Sequence, residues 1–242
     1  MKTLRKIFRP GAHLVLRCWF RLLRKHPYKQ TTFERIDGIP LIVLAGVMNP
    51  VLFRTGAFFA RQIPELIPQE SLVLDMGTGS GIVAIFAAQR AKSVTAVDKN
   101  PVAVRCAKTN VNANHLEKKI TVREGDLFDT VSDAKFDVIL FNPPYFAGTP
   151  RNTFEENMFS DDIILRFLGV ANNHLNENGQ VYLALSDLAP LKQIQSSMTT
   201  CGFDFQIVKQ KNYLNECLYV YRLTIAQERV SRKKSASAMC SM

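Results

Sequence analysis

Residues 72–101 constrain the fold more than any other part of this chain. They read LVLDMGTGSGIVAIFAAQRAKSVTAVDKNP. The first five, Leu72–Met76, form an apolar run with the length and β-branched content of a buried parallel strand. A turn with three glycines follows, then an alanine-rich helical segment at 82–90 and a second apolar run at 93–97 that leads to Asp98. This order predicts the first half of a nucleotide-binding α/β crossover.

The residues around the glycine turn indicate which nucleotide it binds. Glycines let the backbone approach a ligand in conformations that a Cβ forbids, and the following helix offers free N–H groups to an anionic end. Asp98 can accept hydrogen bonds from both hydroxyls of a ribose. A dinucleotide site would have a glycine where Ile82 stands, and Asp75 before the turn would repel a pyrophosphate. Both features favour a cationic ligand with a single nucleoside over a dinucleotide. With Asp75 and Asp98 in place, a ligand site is also favoured over a purely structural turn.

A second motif, Asn142-Pro143-Pro144-Tyr145, follows the strand predicted at 136–141. Ligands of open α/β sheets bind beyond the carboxyl ends of the strands, so we expect this motif to lie where the reaction takes place. The prolines fix the backbone and leave their carbonyls free to accept hydrogen bonds. The Asn142 side-chain oxygen and the Pro143 carbonyl can accept both hydrogens of a planar –NH₂ group, on which Tyr145 can stack.

Strands and helices alternate through the rest of the chain, which predicts a mostly parallel sheet with helices on both faces. Two short strands or a hairpin are expected in 33–47, before a helix at 53–67 that Pro68 ends. Further helices are predicted at 101–112, 160–175 and 190–200, and further strands at 120–123, 136–141, 180–185, 203–209 and 217–225, with a turn at 177–179. The loop between the last two strands is too short for a crossover, so one of them should run antiparallel.

Composition limits the class of protein without specifying a reaction. The chain has 242 residues, 47% hydrophobic and 21% charged, as expected for a globular protein with one sizeable α/β core. Its five cysteines are scattered and never spaced Cys-x-x-Cys, and its four histidines do not cluster. This pattern argues against a disulfide framework or a metal site, and it predicts a reducing, cytoplasmic compartment.

The net charge of +10 is concentrated near the two ends of the chain. Residues 1–33 hold nine Lys or Arg and no acid, so residues 34–242 together carry only +1. Four more basic residues lie in 229–242, which has no acid and leaves −3 for residues 34–228. The body of the protein is therefore not the basic surface typical of nucleic-acid binding.

Taken together, these motifs resemble a known family. DMGTGSG at 75–81, the strand ending in VD at 97–98, EGD at 124–126 and NPPY at 142–145 are similar to class I S-adenosylmethionine-dependent methyltransferases. Within that class the chain looks most like the HemK-like group, which methylates glutamine amides and shares NPPY with the N6-adenine methyltransferases. The resemblance covers about 38–225. It implies a Rossmann-like, seven-stranded, mostly parallel sheet with one antiparallel strand.

The resemblance also implies roles for the motif residues. The catalytic residues would be Asn142, Pro143 and Tyr145, which hold the acceptor nitrogen. In the cofactor site the glycines line the methionine end, Asp98 takes the ribose hydroxyls, and Asp75 faces the cofactor's amino group. The residues implied to bind S-adenosyl-L-methionine are Asp75, Gly77, Thr78, Gly79, Gly81, Asp98, Asp126, Leu127 and Asn142, with Asp126 and Leu127 bordering the adenine.

The predicted reaction is direct in-line transfer of a methyl group to a nitrogen, with no metal. The favoured acceptor is a protein glutamine side chain. The alternatives are an exocyclic amine of a nucleic-acid base, a small molecule at a membrane surface and, least favoured, a non-catalytic cofactor-binding scaffold. The chain departs from the bacterial release-factor enzymes at 49–56, where only Pro50 and Thr55 are comparable, and in lacking a glycine-rich segment after NPPY. These departures bear on the substrate.

We predict three parts in the chain: a basic amphipathic arm at 1–32, the methyltransferase domain at 33–228, and a disordered basic, serine-rich tail at 229–242. Within the arm, Arg17, Arg21, Arg24 and Lys25 share one helical face, and Trp19 lies away from it. Such a helix can pack on the domain, lie peripherally on an anionic membrane or dock on a partner. The sequence leaves these alternatives open, along with the oligomeric state.

Overall fold

The structure, a computed structural model, describes residues 29–144, 162–214 and 216–226. Tyr145, nearly all of the predicted basic arm and the whole of the predicted tail therefore lie outside the described residues. The described residues contain the glycine turn, both acids that flank it and the first three residues of the NPPY motif.

A two-stranded hairpin precedes the main sheet. Its strands, β1 (Thr32–Ile36) and β2 (Ile39–Val43), pair antiparallel across a two-residue turn. Asp37 and Gly38 form that turn with φ angles of 49° and 86°, the positive values that tight hairpin turns require. The residues that β1 and β2 turn inward, among them Ile36 and Leu41, are buried. The hairpin predicted from the sequence is confirmed.

Seven further strands form the central sheet. They are Leu72–Met76 (β3), Ser93–Asp98 (β4), Ile120–Glu124 (β5), Phe136–Phe141 (β6), Leu175–Ser186 (β7), Phe203–Asn212 (β8) and Cys217–Ile225 (β9). Their order across the sheet is β5-β4-β3-β6-β7-β9-β8. β9 is antiparallel to both of its neighbours, and the remaining pairs are parallel. This confirms the predicted Rossmann-like sheet, including its one antiparallel strand.

Five α-helices cover the two faces of the sheet within the described residues. They are Thr55–Leu66 (α1), Ile82–Ala87 (α2), Pro101–Ala113 (α3), Ile163–Ala171 (α4) and Leu191–Thr200 (α5). The hairpin and α1 to α3 pack on one face, and α4 and α5 pack on the other. Successive residues of β3, Val73 and Leu74, point into these two separate cores. In the described part of the chain, no helix has both the length and the apolar content to span a membrane.

Two predicted boundaries are wrong. The helix expected at 160–175 is α4, which ends at Ala171 and is followed by a short 3-10 turn, Asn172–His174. The turn expected at 177–179 is an irregularity inside β7, where the register against β6 shifts between Phe136 and Val138. Asn178 has a φ of 64° there. A residue with positive φ can form a bulge as well as a turn, so β7 bulges and continues.

One of the two outer strands of the described sheet, β8, has an irregular edge. It pairs with β9 on one side, and the register shifts between Ile207 and Lys209. Ile207 is 47% exposed, and Phe205 on the same strand is 36% exposed. Lys209 forms an ion pair with Glu65 of α1, with Nζ 2.6 Å from Oε2. The edge is therefore bent and charged where its apolar residues end.

Candidate active site

The sheet brings the predicted cofactor and acceptor motifs to one edge. β3 lies between β4 and β6, and all three are parallel. The glycine turn after β3, Asp98 at the end of β4 and Asn142 after β6 therefore meet at their carboxyl ends. The strand order also reverses direction beside β3, which is where ligands of open α/β sheets bind.

The glycine turn has a backbone that other residues rarely adopt. Gly77, Gly79 and Gly81 have φ angles of 65°, 56° and 84°. A Cβ on Gly81 would lie 3.2 Å from the Cα of Ala107, so α3 packs directly against the turn. A Cβ on Gly77 would lie 3.4 Å from the ring of Phe141. Gly77 is exposed and Gly79 is half-buried, so this part of the turn presents backbone without side chains, which a ligand can approach closely.

Asp98 supports the turn from the neighbouring strand. Its Oδ2 accepts a hydrogen bond of 2.8 Å from the Gly79 N–H, and its Oδ1 accepts one of 2.9 Å from the Asn100 N–H. Burial raises the pKa of this carboxyl, and the backbone hydrogen bonds partly offset the rise. Each carboxylate oxygen can accept more than one hydrogen bond. Asp98 therefore retains the acceptor capacity that two ribose hydroxyls would need.

Asp75 lies beneath the turn and is 2% exposed. Its Oδ2 accepts a hydrogen bond of 2.6 Å from the Thr78 hydroxyl and one of 3.1 Å from the Ala84 N–H. Asp75 thus joins the turn to the start of α2, a role that the sequence interpretation missed. Burial raises the pKa of Asp75 to about 7, and the nearby Asp98 charge adds a smaller rise. Two carboxyls beside the turn, Asp75 buried and Asp98 half-buried, suit a cationic ligand.

Asp126 and Leu127 follow β5, on the far side of Asp98. The Gly125 N–H donates to the Asp98 backbone carbonyl at 3.0 Å, which keeps this segment beside the cofactor turn. The Asp126 carboxylate pairs with Arg166 of α4, with Nη2 2.5 Å from Oδ2. Leu127 has a φ of 49° and packs against the core. The structure thus places both residues just after β5, next to Asp98, and gives Asp126 a partner that the sequence did not indicate.

Asn142 has a buried side-chain oxygen with no hydrogen-bond partner among the described residues. Pro143 beside it is buried. The other end of the Asn142 amide faces the start of α1, because a Cβ on Gly56 would lie 3.9 Å from Asn142 Nδ2. The same Cβ would lie 3.0 Å from Pro50 Cβ. We call this neighbourhood, Pro50 to Gly56, the acceptor wall. Tyr145, the third predicted catalytic residue, lies outside the described residues.

A polar group at the same edge of the sheet was not found from the sequence. The Arg54 guanidinium carbon lies 5.0 Å from the centre of the Tyr213 ring. The Ser186 hydroxyl donates to Glu216 Oε2 at 3.2 Å, and burial raises the pKa of Glu216. Arg54 precedes α1 and the others lie at the ends of β7, β8 and β9, so no local sequence pattern links them. Their position puts them near the acceptor side of the site.

The fold and the arrangement of this site define a class I S-adenosylmethionine-dependent methyltransferase. The expected features are all present: three glycines with positive φ after β3, an acid at the end of β4, and an Asn-Pro-Pro sequence after β6. The chain belongs to the methyltransferase small domain family, whose model matches residues 53–213. S-adenosylmethionine is therefore its cofactor, and the exposed glycine backbone and acids described above fit it.

Relatives and a solved structure agree with this assignment. A Methanocaldococcus jannaschii protein, provisionally named a protein N5-glutamine methyltransferase, is 35% identical over 144 residues, which cover 56% of this chain and 72% of that protein. A tRNA1(Val) (adenine(37)-N6)-methyltransferase from Actinobacillus pleuropneumoniae is 33% identical over 143 residues, 57% of this chain and 61% of that enzyme. The 16S rRNA N2 G1207 methyltransferase of T. thermophilus, solved with AdoMet and guanosine, has a TM-score of 0.60 at 20% identity. The superposition covers 82% of this chain and 50% of the T. thermophilus enzyme.

Proposed function

We propose that this chain transfers the methyl group of S-adenosylmethionine to the side-chain nitrogen of a protein glutamine. The observation that carries the proposal is the buried Asn142 oxygen, which has no partner among the described residues. Leaving such an acceptor unpaired costs about 1–3 kcal/mol, and an incoming –NH₂ group would remove that cost. The similarity to the M. jannaschii protein, which is provisionally named a protein N5-glutamine methyltransferase, supports glutamine as the acceptor.

The proposed mechanism uses this chain's residues mainly to align the acceptor. When bound, the cofactor supplies an electrophilic methyl group on a positively charged sulfur. Asn142 Oδ1 and the Pro143 carbonyl accept the two hydrogens of the planar –NH₂ group, which directs the nitrogen lone pair along one line. The same two oxygens stabilise the positive charge that grows on the nitrogen during transfer. The carboxylates of Asp75 and Asp98, when ionised, stabilise the cationic cofactor.

The second candidate acceptor is the exocyclic amine of an adenine in a nucleic acid. The similarity to a tRNA N6-adenine methyltransferase supports it, and an exocyclic amine is planar like an amide. The charge of −3 over residues 34–228 weighs against it, because phosphate contacts need a basic surface. A small-molecule acceptor at a membrane surface has no comparable support in the described residues.

The test uses transfer of a labelled methyl group in a cell extract. Wild-type protein and the Asn142→Ala variant are each incubated with labelled cofactor, and label is counted in protein, nucleic-acid and small-molecule fractions. Label in protein, recovered as methylated glutamine and absent with the variant, is the expected result. Label in nucleic acid would favour the second candidate. Cofactor binding without any transfer would favour a non-catalytic scaffold.

We further propose that residues 1–30 of the basic arm bring the methyltransferase domain, 33–228, to an anionic membrane surface or a partner. Nine positive charges and an apolar face that bears Trp19 support this proposal. Each basic residue near an anionic bilayer contributes about 1 kcal/mol, so several together give appreciable binding. The competing expectation is that the arm packs on the domain.

A further inference from the structure

Asn110, in the last turn of α3, connects the glycine turn to the β1–β2 hairpin. This side chain is 0% exposed. Its Oδ1 accepts from the Ile42 N–H at 2.7 Å, and its Nδ2 donates to the Ile42 carbonyl at 2.7 Å and to the Ser80 carbonyl at 2.8 Å. The Asn110 amide therefore bonds both backbone groups of Ile42, as a neighbouring strand would. The second hydrogen of its Nδ2 group binds the glycine turn at Ser80.

Asn49 connects the other strand of the hairpin to the acceptor wall. It is 5% exposed. Its Nδ2 donates to the Thr32 hydroxyl at 3.0 Å and to Glu34 Oε1 at 2.7 Å, both on β1. Its Oδ1 accepts from the N–H groups of Val51 and Leu52 at 2.9 and 3.2 Å. The first turn of the acceptor wall thus depends on a contact with the hairpin.

The two asparagines make the hairpin a continuous bridge across the site. At one end, Ser80 belongs to the glycine turn that holds the cofactor. At the other end, Gly56 of the acceptor wall lies between Pro50 and the Asn142 amide, since a Cβ built on Gly56 would lie 3.0 Å from Pro50 Cβ and 3.9 Å from Asn142 Nδ2. The strands between these ends are joined along their whole length by antiparallel pairing. Both asparagines are buried with their polar atoms used, so breaking either contact leaves unpaired groups on both partners.

We propose that the β1–β2 hairpin is a clamp that fixes the acceptor wall relative to the cofactor turn, with Asn110 and Asn49 as positioning residues for methyl transfer. The inference rests on the proposed function only in taking Asn142 as the residue that holds the acceptor. In-line transfer requires the methyl group and the nitrogen to be aligned closely, so a loose connection between the two halves lowers the rate. Asn110 acts on the cofactor side and Asn49 on the acceptor side.

The first experiment measures hydrogen–deuterium exchange in the full-length wild-type chain, with and without S-adenosylmethionine. The cofactor should slow exchange in the glycine turn at 77–81 and, through Asn110, also in β2, including the Ile42 amide. Protection of the turn with unchanged exchange in β2 would overturn the clamp. This measurement needs no acceptor and no variant.

The second experiment separates the two ends of the clamp with full-length variants. Asn110→Asp replaces the Nδ2 group, which donates to the Ile42 and Ser80 carbonyls, with a carboxylate oxygen that cannot donate to them. Cofactor binding measured by calorimetry should therefore weaken about 5- to 30-fold. Asn110→Ser is the milder substitution if the first variant does not fold. Asn49→Ala should leave cofactor affinity within about twofold and lower kcat about fivefold or more, measured on the extract fraction that the wild type labels.

A matched control is Asn176→Ala, which removes a hydrogen bond of 2.8 Å to Asp137 at the opposite end of the sheet. It should lower thermal stability without changing cofactor affinity or kcat. If the Asn110 and Asn49 variants behave like this control, the two asparagines only stabilise the fold and the proposal is wrong. Absence of any wild-type transfer would instead count against the proposed function, while the exchange and calorimetry results would still decide the clamp.

Discussion

The pKa of Asp75 predicts how the stability of this protein depends on pH. Its folded pKa, about 7, lies above the ordinary value of 3.8 because the carboxyl is fully buried. The folded state therefore binds this proton more tightly than the unfolded state does. The protonated Asp75 therefore contributes its full share to the free energy of unfolding below about pH 4. That contribution is lost progressively as the pH rises from about 4 to about 7. A rise of about three units in the pKa of Asp75 corresponds to roughly 4 kcal/mol of unfolding free energy, at about 1.4 kcal/mol per pKa unit.

Asp75→Asn isolates this effect, because a side-chain amide oxygen can still accept the Thr78 and Ala84 hydrogen bonds. We expect the variant to be more stable than the wild type at pH 8, by up to roughly 4 kcal/mol, and to lose most of this advantage by pH 4, where the wild-type carboxyl is protonated in the folded state. Asp98 also has a raised pKa, and it contributes a slope of the same sign to both proteins. Urea unfolding of the cofactor-free proteins at several pH values measures the difference. A difference that stays constant from pH 5 to pH 8 would refute the argument.

Four further outcomes follow from the site. Asp98→Ala should weaken cofactor binding about 10- to 100-fold by calorimetry, because charge-assisted hydrogen bonds contribute about 1.5–3 kcal/mol each; unchanged affinity would remove Asp98 from the site. Asn142→Ala should lower kcat far more than it lowers cofactor affinity, with folding checked by circular dichroism; equal turnover in wild type and variant would mean that NPPY is only a turn. Gly81→Ala should cost about 1–3 kcal/mol in urea unfolding, since the new Cβ meets Ala107 at 3.2 Å and φ stays positive. Replacing Arg17, Arg21, Arg24 and Lys25 with alanine in the full-length chain should reduce co-sedimentation with anionic vesicles at low salt; equal sedimentation would contradict membrane contact.

Local patterns predicted most of the fold because strands and helices here follow the ordinary signals. The apolar run of β3, the acid that ends β4 and the proline that begins α3 all act within a few residues. The bulge in β7 was missed because Asn178 has the conformation of a turn residue, and only pairing with β6 distinguishes a bulge from a turn. The local sequence predicts the backbone conformation of Asn178, but only pairing with the neighbouring strand determines whether the chain turns or continues through a bulge.

The cofactor and acceptor motifs could be placed at one edge from topology alone, whereas their supporting contacts could not. Asn110 lies 68 residues from Ile42, and Arg166 lies 40 residues from Asp126. In sequence, an asparagine inside a helix indicates only weak helix propensity, and an arginine on a helix indicates an exposed face. Their partners become apparent only when the sheet has brought distant segments together. The residues that hold the site in place were therefore less predictable than those expected to bind the ligands.

The irregular edge of β8 has a consequence for the protein's behaviour at high concentration. A long, flat outer strand with exposed apolar residues is a template on which a second molecule can add a strand and start an aggregate. Here the register shift beside Ile207 bends that strand, and Lys209 and Lys211 place charges along its later half. A neighbouring molecule that pairs with this edge would have to accommodate the bend and bring like charges together. Replacing both lysines with valine would extend the apolar stretch and lower the concentration at which the protein remains monodisperse.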